Sequence, residues 1–173
     1  SVQVMNTPEN VEKQWETEAQ AKRRDFIQKL ELTEDVKTLA LDKDTMWAPD
    51  NYKFLHVKEV GDTLEYRVHN LEEPLPVGEQ IETVAFSKST WETQPKISWY
   101  SDSFHLILVE GDVEGTNKGM ISLIRIDGTN KTELYNNTLY SDKVYSTPGG
   151  DKVVIWTSFK SEGQGDLYTV SIR

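Results

Sequence analysis

His56, His69 and His105 are the three imidazoles of a chain without cysteine, so any metal ligation through nitrogen or any proton transfer near neutral pH falls to them. A metal site would need them to converge on a common point. They lie far apart, show none of the short ligand spacings that mark such sites, and sit in strand-like runs. They read as ordinary strand residues; no metal is assigned and no cofactor is expected. Serine and aspartate are plentiful, yet Gly-x-Ser-x-Gly, Gly-x-Gly-x-x-Gly and phosphate-loop patterns do not occur. Gly163-Gln164-Gly165 reads as a hairpin turn, and no catalytic residue is assigned. Asp112-Val113-Glu114-Gly115-Thr116-Asn117 alternates oxygen ligands like the start of a calcium loop. It lacks the loop's glycine and closing glutamate, so it reads as an acidic hairpin loop. Asp112 and Glu114 are kept as binding candidates together with Trp91. That tryptophan, in Lys88-Ser89-Thr90-Trp91-Glu92-Thr93, stands in a polar stretch that predicts a loop, where a large ring offers contact area at low entropic cost.

The elements that must position these residues repeat. Trp47-Ala48-Pro49-Asp50-Asn51-Tyr52-Lys53 aligns without gaps on Trp99-Tyr100-Ser101-Asp102-Ser103-Phe104-His105 and on Ser146-Thr147-Pro148-Gly149-Gly150-Asp151-Lys152. In each block a turn cluster leads into an apolar run, and a basic or imidazole residue (Lys53, His105, Lys152) stands six positions after the first residue. The blocks start 52 and 47 residues apart. Each is followed by a second strand-like run: Leu64–Val68, Ile121–Ile126 and Asp166–Ile172. Further strands are expected at Ile81–Phe86 and Thr132–Tyr135, while the last block stops at its third strand. Repeats of this length signal arrays of small antiparallel sheets, because one such sheet cannot bury both of its faces alone. Trp47, Asp50, Trp99, Asp102, Pro148 and Gly149 are the structural anchors of the repeat.

The order of Trp, a small residue, Pro or Ser, Asp, a turn residue, a basic residue and an apolar strand resembles the WD40-like β-propeller repeat of the TolB type. The third block, with Pro148-Gly149-Gly150-Asp151-Lys152 and Asp166-Leu167-Tyr168, is nearest to that pattern, although it lacks the leading Trp. The resemblance covers about residues 40–173, and the full run is also similar to the propeller-like C-terminal region of bacterial envelope proteins that carry a PEGA domain. It implies a bacterial cell-envelope or extracellular setting and a repeat whose Pro-Asp turn is structural. The expected fold is mainly β: three propeller-type antiparallel blades, about half of a six-bladed propeller, preceded by one N-terminal amphipathic α-helix. The boundary between the helical arm and the propeller-like domain is expected at residues 34 and 35.

The arm starts at Thr7-Pro8-Glu9, a threonine N-cap with proline at the first helical position, and runs to about Leu32 without glycine or proline. Val11, Trp15, Ala19, Phe26 and Leu30 form its apolar stripe, with Ile27 at the edge and Lys22-Arg23-Arg24 on a solvated face. After it, Thr38-Leu39-Ala40-Leu41 reads as a short strand. A formal charge of −10, unrelieved by any basic cluster larger than Lys22-Arg23-Arg24, argues against nucleic acid and anionic membranes as partners. Three blades fall short of the four to eight of a closed propeller. The count leaves a fragment of a longer ring, a homodimer closing six blades, or a sandwich-like domain. The function expected is non-enzymatic binding or scaffolding, with loops contacting a protein or polysaccharide; the alternative is an accessory or catalytic propeller domain of a hydrolase.

Overall fold

The computed structural model describes residues 8–158 and 165–172, and the chain divides into a helical unit that runs through Thr45 and a β unit from Met46 onward. The first helix, α1 (Pro8–Lys29), carries Pro8 where a missing N–H costs nothing. The Thr7 cap and the Gly163-Gln164 turn lie outside the described residues. Ile27, expected at the edge of the stripe, is fully buried, whereas Trp15 is 65% exposed. Arg23 is half-buried rather than solvated, and burial lowers its pKa.

The strand expected at Thr38–Leu41 is a correction. Thr38, Leu39 and Ala40 belong to a second helix, α2 (Glu34–Ala40), with Leu41 as its C-cap, and the helix opens after an extended Thr33 with Glu34 and Asp35 in its first turn. A short apolar run does not separate strand from helix by periodicity. The acids beside the positive end of the helix dipole were the better signal. The helical unit therefore holds two helices rather than one.

The β unit is three antiparallel meanders in succession. The first sheet pairs β1 (Met46–Trp47), β2 (Lys53–Val60), β3 (Thr63–Asn70) and β4 (Glu82–Ser89) in that order. The second pairs β5 (Lys96–Trp99), β6 (His105–Glu110), β7 (Lys118–Arg125) and β8 (Thr132–Thr138), with a short helix α3 (Val113–Thr116) between β6 and β7. The third pairs β9 (Tyr145–Ser146), β10 (Lys152–Thr157) and β11 (Asp166–Ser171). Both expected fourth strands are present, and among the described residues the last sheet has three strands.

The repeat seen in the sequence is a repeat of hydrogen bonds. Ala48, Tyr100 and Thr147 donate their N–H to the carbonyls of Lys53, His105 and Lys152, each at 2.9 Å. Within the turns, the N–H of Asn51, Ser103 and Gly150 closes on the carbonyl three residues back, at 3.0, 3.1 and 2.9 Å. The same three residues adopt positive φ, at 61°, 61° and 65°. Side chains rarely tolerate that conformation, but asparagine and glycine suit it, which explains their presence at two of the three turns. Asp50 Oδ1 accepts from Tyr52 N at 2.8 Å, and Asp102 Oδ1 accepts from Phe104 N and His105 N at 2.8 and 3.0 Å. Gly149 has no side chain to offer there, and Thr147 Oγ1 instead bonds Asp151 Oδ1 at 2.9 Å.

Packing shows why the central strands are continuous apolar runs. Leu106, Leu108 and Ile124 of the second sheet cluster with Leu55, Val68 and Ala85 of the first. Ile107, Val109 and Ile121, pointing the other way, cluster with Val153 and Ile155 of the third. A sheet buried on both faces loses the alternation of a half-exposed strand. Polar side chains tie the same junctions: Trp99 Nε1 donates to Met46 O at 2.9 Å, and Ser98 Oγ to Val144 O at 3.2 Å. The outward face of the third sheet is open, with Trp156 47% and Leu167 75% exposed.

Glu110 joins the edges of two sheets by accepting from Lys88 and Lys131, each at 3.0 Å. Burial works to raise its pKa, but the two ammonium groups outweigh burial and hold the carboxyl below the ordinary glutamate value. A depressed carboxylate binds fewer protons in the folded than in the unfolded chain, so its contribution is complete above the unfolded value of about 4.3 and is lost as pH falls through the folded value. Glu110→Gln is therefore expected to destabilise the protein at pH 7 and to differ little from wild type near pH 3. Urea unfolding at the two pH values tests this, and an equal difference at both rejects the linkage.

Candidate functional site

At one end of the β unit the loops after β4, β6 and β8 converge on an open groove. One part, about 380 Å³, is lined by Thr93, Gln94, Lys96, Asp112, Glu114 and Asp142, among others. A second part, about 340 Å³, shares Lys96, Val109 and Asp142 and continues to Val144 and Tyr145. Two of the three binding candidates, Asp112 and Glu114, thus meet residues that the sequence did not single out, Lys96 and Asp142. Lys96 Nζ lies 3.8 Å from Asp142 Oδ2, with the lysine side chain 69% exposed. The calcium-loop likeness of Asp112 resolves into helix capping: Asp112 Oδ1 accepts from Gly115 N at 2.9 Å, and Thr116 N bonds the Asp112 carbonyl at 3.0 Å.

Trp91 stands outside the groove lining, 73% exposed on the turn after β4. Its loop is fixed from within. Tyr66 OH donates to Gln94 Oε1 at 2.9 Å, while Gln94 Nε2 donates to the carbonyls of Ser89 and Glu92, each at 2.8 Å. Ser89 N also donates to Glu92 Oε2 at 3.0 Å. An exposed ring on a loop held by bonds among four residues is presented with little ordering left to occur on binding.

The anchors behave as structure. Trp47 packs on Phe54 with centroids 5.3 Å apart, and Asp50 binds the ammonium of Lys53 at 2.7 Å. Asp102 Oδ2 is 2.6 Å from His105 Nδ1. Burial pushes the Asp102 pKa up, but the His105 ring and the two backbone donors prevail and leave it lowered. His105 is thereby engaged in its own turn.

The other two histidines are neighbours. Cross-strand pairing sets Phe54 opposite His69 and His56 opposite Arg67, so His56 and His69 are diagonal on one face of the first sheet. Glu82 on β4 pairs directly with His69. Among the described residues, His56, His69 and Glu82 form the one group of three histidine or acidic side chains with ligand atoms all within 4.8 Å of one another. Both rings are 6% exposed. Burial, foremost, lowers both pKa values; His69, Arg67 and Lys58 add to this at His56, and Arg67 at His69, against the opposing pull of Glu82. Sequence distance concealed the pair, although a two-residue turn at Gly61-Asp62 would have set this register.

No family model matches the chain, and no curated protein matches it. Among solved structures it is similar to TolB from Acinetobacter baumannii, at TM-score 0.46 and 14% identity over 73% of this chain and 28% of that one. It is also similar to a eukaryotic initiation factor, at TM-score 0.38 and 10% identity over 75% of this chain and 30% of that one. The chain spans less than a third of either. At such scores neither likeness bears on function, and the fold class rests on the three meanders: a mainly β, propeller-type protein with a helical N-terminal unit. Among the described residues no helix is long and apolar enough to cross a membrane.

Proposed function

We propose that the chain is a non-enzymatic binding or scaffolding module that holds a protein or polysaccharide at its loop end, within a bacterial cell-envelope or extracellular protein as the repeat resemblance implies. The observation that carries the reading is the groove flanked by Asp112, Glu114 and Asp142. It lies at the end of the sheets where three loops meet, and loops on a rigid sheet scaffold are where β proteins place recognition. Three acids, Asp112, Glu114 and Asp142, line the groove with two lysines, Lys96 and Lys143, so the lining favours a neutral or basic partner. Trp91 supplies the kind of rigid aromatic contact that dominates many interfaces.

Amide chemical-shift mapping tests this with a lysine-rich peptide and a neutral oligosaccharide as separate probes. One of them is expected to shift Lys96, Gly111 and Glu114, and Asp112→Ala with Glu114→Ala is expected to weaken that probe roughly tenfold, as for loss of about 1.4 kcal/mol. The reading is rejected if neither probe shifts these residues, or if the shifts fall instead on Trp156 and Leu167.

A further inference from the structure

We infer that His56, His69 and Glu82 form a binding site for a divalent transition metal of the zinc type. The proposal concerns a different part of the β unit from the loop-end groove and stands or falls separately from it.

Glu82 Oε1 lies 3.9 Å from His56 Nε2 and 3.9 Å from His69 Nδ1. Two nitrogens and one oxygen around a tetrahedral ion, with bonds of about 2.0–2.1 Å, stand roughly 3.4 Å apart. Each of these two distances is therefore about half an ångström wider than in a coordinated arrangement, and the three ligand atoms all lie within 4.8 Å of one another, gaps that side-chain rotations close. Two imidazoles and one carboxylate suit zinc, and three protein ligands leave a fourth position for water.

A second observation points to a ligand independently of this spacing. Nδ1 of His69, the atom that would ligate, is buried and has no hydrogen-bond partner. A buried nitrogen left unpaired costs free energy, and native structures satisfy nearly all of them. The His69 atom is the one that faces Glu82, so an ion there would satisfy it directly.

The surroundings suit a cation once charge is counted. Arg67, opposite His56, is the nearest positive group, but it is already bound by two carboxylates. Its Nε and Nη2 donate to Glu65 Oε2 at 2.9 and 2.6 Å, and its Nη1 donates to Glu82 Oε1 at 3.0 Å. A carboxylate has about four lone-pair sites, so Glu82 can keep the arginine while binding a metal. Arg67 then orients the ligand, as groups behind a metal ligand commonly do. Phe54 stacks on His69 with centroids 5.2 Å apart and planes within 4°, and it lies 6.0 Å from His56, walling the site with an apolar ring. Glu82, with 38% of its side chain exposed, is the side from which an ion enters.

The test uses the full chain, stripped of metal and titrated with Zn²⁺ by calorimetry and with Co²⁺ by visible absorption. Saturable binding of one ion per chain is expected, with the intense Co²⁺ bands of low-symmetry coordination and a Zn²⁺-dependent rise in melting temperature. His69→Gln is expected to weaken Zn²⁺ roughly tenfold or more. Glu82→Gln, at a more exposed position, is expected to do the same while unfolding cooperatively without metal, which separates lost ligation from lost fold. His105→Gln is expected to bind like wild type. Absence of saturable binding, or binding unchanged in both Glu82→Gln and His69→Gln, overturns the proposal.

Discussion

Removing both carboxylates from Lys53, as Asp50→Asn with Glu72→Gln, is expected to destabilise the protein by about 3–5 kcal/mol, the cost of stranding a buried charge. Lys53 is fully buried, and its ammonium lies 2.7 Å from Asp50 Oδ2 and 3.2 Å from Glu72 Oε2. It also stands 4.2 Å over the ring of Phe104, which belongs to the next repeat. The amide replacements keep shape, and Asn at position 50 can still accept from Tyr52 N, so the experiment isolates charge. Lys53→Met combined with Asp50→Asn and Glu72→Gln, which removes the cation together with both of its anions, is expected to recover most of that loss. Urea unfolding at pH 7 reads both. A loss below about 1 kcal/mol in the double variant would show that solvent or neighbouring groups compensate the ammonium.

Ile107→Ala is expected to cost about 2–5 kcal/mol, the range for truncating a large aliphatic side chain in a packed core. Ile107 is fully buried in the cluster that joins the second and third sheets, while Leu106 and Leu108 on either side of it face the first sheet. The middle sheet is thus the common wall of both cores. Its loss should lower the unfolding midpoint of the β unit as one transition; two separated transitions in thermal unfolding followed by near- and far-ultraviolet dichroism would contradict that coupling. Tyr145→Ala, at a residue 63% exposed, serves as the control and is expected to stay within about 0.5 kcal/mol of wild type.

The repeat was legible because it is written in local chemistry. A residue able to adopt positive φ at positions 51, 103 and 150, and a side chain able to cap the turn beside it, are decided within a few residues. The strands followed from the same locality, including the fourth strands after the first two blocks. The failures are just as specific. Leu39-Ala40-Leu41 is too short to show a period, and what made it helical was the acidic start at Glu34-Asp35. Ile27 outranked Trp15 because burial along a helix depends on where its partners end, which an apolar stripe does not state.

For the sites, residue type alone pointed to Trp91, which is exposed, and to Asp112 and Glu114, where the expected hairpin loop is instead a short helix capped by Asp112. It could not find Lys96, which pairing with Val109 sets beside that loop, or Asp142, which comes from the segment between the second and third sheets. Nor could it find the His56, His69 and Glu82 cluster, which depends on the register of three strands and on a shared face. The amino-acid sequence by itself determined the number and kind of repeating sheets, since turn chemistry and strand pattern act between near neighbours. Only the tertiary structure decided which polar groups meet, which of them lose water and which nitrogens are left without a partner, because those outcomes come from pairing and packing between residues distant along the chain.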